Sequence, residues 1–163
     1  MPATNHLPRQ SMLLPSVFDR LADVSVGGPD SPEWYDVPTL TTAVRRDLED
    51  LLNTQQSIPG LALESPLLAD SVVGFGVPDP STFSLDTPAG RRRLAAALVE
   101  VIHRFEPRLS DVQIELGSDS GLKLCDLRFR VVARLAVETA PQVIFESSLH
   151  VPSGQFSIGE TES

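Results

Sequence analysis

The sequence predicts a single α+β domain, with N-terminal helices packed on one face of a small antiparallel β-sheet, and three observations carry that class. Apolar residues recur at helical spacing in two stretches before residue 105. Beyond residue 110 the spacing changes to alternation, the period of a half-buried strand. Short turn sequences separate the alternating runs closely enough for hairpins, so the sheet is antiparallel and needs its apolar face covered by the helices. At 163 residues with 41% hydrophobic residues, the chain fills one core and leaves no material for a second domain.

Residues 1–12 are polar, hold two prolines and have no period, which predicts a flexible N-terminal tail. The domain is expected over 13–158, with 159–163 as a flexible C-terminal tail. In SVFDRLADV, Ser16 is a candidate N-cap, and Val17, Leu21 and Val24 share a short helical face. GGPDSPEWYDVP breaks any regular element, yet it carries the sole Trp and Tyr, Trp34 and Tyr35, as a clamp onto the core or a contact for a partner. From Thr41, TTAVRRDLEDLLNT reads as an amphipathic helix ending near Asn53. Leu40, Val44, Leu48, Leu51 and Leu52 form its stripe, and Arg45, Arg46, Glu49 and Asp50 cover the rest. The following stretch to Leu85 mixes apolar runs with Gly and Pro and sustains no period.

Thr87 and Pro88 start the next helix, one as N-cap and the other at a position where a missing N–H costs nothing. Leu94, Leu98, Val101, Ile102 and Phe105 make its buried stripe, with Arg91, Arg92, Arg93, Glu100 and Arg104 outside. RFEPRL then forms a corner, because Pro107 cannot continue a helix and the residue before it is pushed toward extended geometry. Val112, Ile114 and Leu116 alternate with polar residues in the first strand. After the turn GSDSG, a long strand sets Leu127, Phe129, Val131, Ala133, Leu135 and Val137 on one face and Arg128, Arg130 and Arg134 on the other. In VIFESSLHV the shared face is Val143, Phe145, Leu149 and Val151, and QFSI adds a short edge strand.

Thirteen Lys and Arg against 22 Asp and Glu give a formal charge of -9, which disfavours nucleic acid and anionic lipid as partners. A lone Cys125 forms no internal disulfide and fits a reducing compartment. The start of the sequence offers only the apolar run Met12–Leu14, neither a secretion signal nor a spanning helix, so a cytoplasmic location without membrane insertion is expected.

Reaction chemistry finds little support. Glu106 with Asp111 or Glu115 would supply the two carboxylates of a glycosidase, but spacing in sequence says nothing of their separation. Cys125 sits at an alternating strand position, where a small core residue is the ordinary role. His6, His103 and His150 have no metal-ligand spacing, and GFGVPD matches no phosphate-cradling pattern. No catalytic residue, cofactor or metal is expected, so the chain is read as no enzyme. The three strand arginines fit cross-strand pairs with Glu115 and Glu146, with an acidic partner as the alternative. At the corner, Glu106 and Arg108 either pair with each other on the surface or reach charges on another chain, and pattern alone leaves both open.

Motif order adds a further reading. LLPSVFDRL, RRDLEDLLNT, VVGFGVPD, RFEPRL and the alternating strands run in sequence over residues 13–158. In this the chain resembles the baseplate wedge family of contractile injection machines, to which the TssE subunits of type VI secretion and the lysozyme-like wedge proteins of contractile phage tails belong. The resemblance implies a structural wedge component and makes Glu106, Pro107 and Arg108 a partner-binding motif. Its partners would be the helical core bundle of the larger TssF- and TssG-type subunits, the contractile sheath subunits and a TssK-type adaptor. It also implies that a free strand edge near Val143–Val151, or the C-terminal tail, templates the first sheath ring. Phe75 after Gly74, and Gln55 after LLNT, depart from the family's usual residues. The lysozyme label of some relatives offers peptidoglycan hydrolysis as the alternative activity.

Overall fold

Asp36, not Thr41, begins the first long helix. Its carboxylate accepts the Thr39 N–H at 2.9 Å, and Pro38 sits in the first turn, where no N–H is needed. In the computed structural model, which describes residues 36–56, 66–117, 126–139 and 141–160, helix α1 therefore runs Val37–Asn53. Its buried stripe contains all five residues expected from periodicity, with Ala43 added. Among its described residues, the region without a period has the short helical turn α2 (Pro66–Ala69) and 3-10 turns at Val72–Gly74 and Pro80–Thr82. Helix α3 spans Pro88–Phe105, and the Thr87 hydroxyl accepts the Gly90 N–H at 3.0 Å.

Four strands follow: β1 (Leu109–Leu116), β2 (Asp126–Leu135), β3 (Gln142–His150) and β4 (Gln155–Glu160). They form one antiparallel meander in the order β1-β2-β3-β4. Phe129, Val131, Ala133, Leu135, Val143, Phe145, Leu149, Phe156 and Ile158 face a single core layer, against which α3 packs over β1 and α1 over β4. Buried Ser147 continues the β3 series, its hydroxyl donating to the Phe145 carbonyl at 3.3 Å.

One extra residue in β1 reconciles two apolar parities. Leu109 and Val112 cannot both face inward on a regular strand, but the register shifts between Ser110 and Gln113 and Asp111 takes φ of 52°. This bulge returns Val112, Ile114 and Leu116 to the core side.

Three expectations need correction. The Val143–Val151 strand is not an edge: β2 pairs with β3 on one side and β4 on the other, because QFSI continues the meander. Val151 lies past the end of β3 and is exposed. β4 reaches Glu160, so pairing continues two residues beyond the boundary expected at 158, into the span read as a flexible tail. The expected helix at 16–24, Trp34 and Tyr35, His6, the turn at 118–121, Cys125 and most of both tails lie outside the described residues.

Candidate functional site

The corner is assembled from the ends of two elements. The Glu106 N–H closes α3 on the Ile102 carbonyl at 2.8 Å, and its own carbonyl accepts the Leu109 N–H at 3.1 Å across Pro107 and Arg108. The Arg108 carbonyl then accepts the Ala136 N–H at 2.8 Å, so the sheet ladder starts within two residues of the helix end. This short connection lets the Glu106 carboxylate fold back onto its neighbour.

Glu106 Oε1 accepts the Arg108 N–H at 3.2 Å and Nε–H at 2.7 Å, while Oε2 accepts from Nη2, a side-on bidentate pairing. Arg108 Nη2 also donates to Asp47 Oδ2 of α1 at 2.7 Å. The other Asp47 oxygen receives Arg46 Nε and Nη2 at 3.0 and 2.8 Å. Charges thus alternate along a chain from Arg46 through Asp47 and Arg108 to Glu106, tying α1 to the turn between α3 and β1. Glu106 is only 4% exposed. Pro107 is exposed at the apex, and a quarter of the Arg108 side chain reaches the surface. Arg108 Nη1 is buried without a hydrogen-bond partner among the described residues. Burial works against the charged guanidinium, but the hydrogen bonds and charges of Glu106 and then Asp47 outweigh it and hold its pKa above the ordinary arginine value.

Of the two sequence readings of this corner, mutual pairing is what the structure contains, but it is an inward pairing and not a surface one. Glu106 turns into the domain; Pro107 and part of Arg108 remain presentable. Asp47, the third member, was not legible, because 61 residues separate it from Arg108 and it lies within an ordinary charged helix face.

The last turn of α3 positions a second surface beside the corner. Arg104 bridges Asp70 at 3.2 Å, and Phe105 meets Phe75 edge-on with centroids 5.3 Å apart. These ties hold the segment Leu67–Val73, in which Leu67 is 87% and Val72 91% exposed. Isolated exposed apolar residues are ordinary, but four within seven residues, counting Leu68 and Val73, mark a surface suited to burial.

The other sequence candidates occupy structural positions. GFGV braces the end of α1: Gly76, at φ 108°, brings its backbone so close to Thr54 that a Cβ would lie 2.3 Å from the Thr54 carbonyl oxygen. The Val77 N–H then donates to that carbonyl at 2.7 Å, Gln55 pairs with Val77 in a parallel bridge, and Phe75 packs on Phe105. Asp79 caps the 3-10 turn after it, and the Ser81 N–H holds its carboxyl below the usual range. The carboxylates considered as an acid and base each have an arginine: Glu106 has Arg108, Glu115 has Arg130 at 2.7 Å, and Asp111 has Arg134 at 3.7 Å. Glu146 lies opposite Arg130 in register, but the ion pair of Arg130 is with Glu115. His103 and His150 are exposed, with His150 Nδ1 2.8 Å from the Ser153 hydroxyl. Among the described residues no His, Cys, Asp and Glu group has the arrangement of a metal site, and no helix is long and apolar enough to cross a membrane.

Comparison with known proteins gives one family. The family described as Baseplate wedge protein gp25 matches residues 39–140, well over half of the chain. That span includes RRDLEDLLNT, VVGFGVPD and RFEPRL, whereas LLPSVFDRL and the last two strands fall outside it. Searches of curated proteins and of solved structures return no match.

Proposed function

The chain belongs to the baseplate wedge protein gp25 family, and from that membership we propose that it is a TssE-type subunit of a cytoplasmic type VI secretion baseplate. In this reading it is a structural part and not an enzyme. It docks on the helical core bundle of TssF- and TssG-type subunits, beside a TssK-type adaptor, and templates the first ring of the contractile sheath.

The observation that carries the docking reading is the braced corner. Pro107 stands exposed between two residues whose side chains are fixed by each other and by Asp47, so the apex is presented with little conformational freedom to lose on binding. We assign Glu106, Pro107 and Arg108 to partner binding in two roles: Glu106 orients Arg108, and Pro107 with the exposed part of Arg108 meets the partner. The adjacent Leu67 and Val72 supply apolar area for a helical bundle to bury.

Co-purification with the TssF- and TssG-type subunits tests this reading. Val72→Asp and Leu67→Asp alter side chains that bury little, so melting temperature stays constant while co-purification falls at least tenfold. Unchanged co-purification in both, and in Pro107→Ala, would place docking elsewhere. The hydrolytic alternative requires clearing of a cell-wall suspension, and none is expected.

A further inference from the structure

The carbonyl end of α1 opens onto a cleft of about 250 Å³, walled by the Val77–Ser81 segment and by the turn between β3 and β4. Val77, Pro80, Val151 and Pro152 give it apolar sides, and Asp79 is the charged residue among the described residues that line it. Asn53, on the rim, is already committed to β4. Its Oδ1 accepts the Phe156 N–H at 2.9 Å, and its Nδ2 donates to the Phe156 carbonyl at 3.0 Å.

Two sources of negative potential meet in this cleft. A helix carries partial negative charge on its last carbonyls, and those of Leu52 and Asn53 accept no hydrogen bond from a described residue. Basic side chains in the last turn offset that end in α3, where His103 and Arg104 stand, but the last turn of α1 has none. Asp79 adds a full charge. Its Oδ1 accepts the Ser81 N–H at 2.8 Å and the neutral Gln55 amide bonds to the same carboxyl, yet no described Lys, Arg or His lies within ion-pair distance of it. Asp47, Asp70, Glu106 and Glu115, by contrast, each have an arginine.

We propose that the cleft binds an arginine side chain of another chain, with the guanidinium between Asp79 and the carbonyl end of α1. The aliphatic stem lies along Val77, Pro80 and Val151, as long basic side chains do on apolar surface. A single carboxylate is too little for a divalent cation such as calcium, which takes about six or more oxygen ligands. An ammonium would meet Asp79 as a point charge, whereas the planar guanidinium bonds a carboxylate and a helix carbonyl together. The site shares no residue with the Glu106 corner and does not depend on the function proposed above.

Titration of the nitrogen-15-labelled full chain with N-acetylarginine amide, whose ends are blocked as in a polypeptide, tests the site. The backbone amides of Asn53, Gln55, Ser81 and Gly154 shift together and saturate with a Kd of about 1 to 10 mM, the range for a ligand of this size. The citrulline counterpart, alike in shape but uncharged, binds at least tenfold more weakly, and the lysine counterpart at least threefold. Asp79→Asn keeps an oxygen for the Ser81 N–H and weakens binding at least tenfold. Gln55→Lys alters only an exposed side chain, sets the chain's own ammonium beside Asp79 and abolishes binding. An unmoved Phe145 amide resonance shows the fold retained in both variants. Equal binding of the citrulline or lysine compound, unchanged binding in either variant, shifts confined to residues outside the cleft, or no saturable response overturns the assignment.

Discussion

Arg108 and Arg130 each meet a carboxylate at 2.7 Å, one on Asp47 at the corner and the other on Glu115 across the outer face of the sheet. Distance therefore does not separate them, but surroundings do. Arg130 and Glu115 are each about half exposed, at 50% and 48%, whereas Glu106, the other partner of Arg108, has 5% of its side chain at the surface. In water a cross-strand pair exchanges one set of favourable contacts for another, and its net effect is small. At the corner the carboxylate has lost its water, so each member depends on the other to remain charged without penalty. The same two residue types thus decorate one region and hold together the other.

The largest effect that would break this contrast is expected from Arg108→Ala, which strands a buried carboxylate and costs about 3 kcal/mol in chemical denaturation. A loss below about 1 kcal/mol would put the corner in the same class as the sheet face. The double change Glu106→Met with Arg108→Met sharpens the point, because removing both charges recovers at least half of that loss. Arg108→Lys keeps the charge but not the fork that spans both Glu106 oxygens, and a loss of about 1 to 2 kcal/mol is expected, against no measurable change for Arg130→Lys. Arg130→Ala should cost less than about 1 kcal/mol, a difference that shrinks further in high salt, where a buried pair would hold.

The smallest effect concerns a fully exposed acid with a local job. Hydrogen bonding by Thr39 holds the Asp36 carboxyl below its ordinary value of 3.8. A depressed pKa contributes stability above the unfolded value and loses it as pH falls through the folded one. The melting temperatures of the wild type and Asp36→Ala should accordingly differ at pH 7 and converge by about pH 2, well below the unfolded carboxylate pKa. A gap that persists in acid would mean that the change acts on more than the cap.

Regular elements were legible where one physical signal dominated. The stripe Leu40, Val44, Leu48, Leu51 and Leu52 is buried as periodicity required, and Thr87 caps α3 as its side chain and Pro88 implied. The start of α1 was missed by four residues because a capping Asp was read as part of a Pro-rich loop, an error of local competition between loop and cap signals. QFSI forms the short edge strand that its pattern implied, as β4; the free edge expected near Val143–Val151 came from the family resemblance, and pairing with that same β4 removes it. At the site, RFEPRL announced a corner with two charges, yet not that Glu106 would turn inward.

What the residues alone settled was everything governed by neighbours a few positions apart: two amphipathic helices, a stiff turn at Pro107, and strands whose alternate faces are apolar. What the folded chain decided was which distant groups meet. Asp47 reaches Arg108 across 61 positions, and Asn53 reaches Phe156 across 103, because helix packing on the sheet brings them there. Local periodicity is written in the chain since it follows from backbone geometry. The pairing of remote polar groups is not, since it depends on the summed burial of the whole core, and the same Asp or Asn on an open helix face would have met only water.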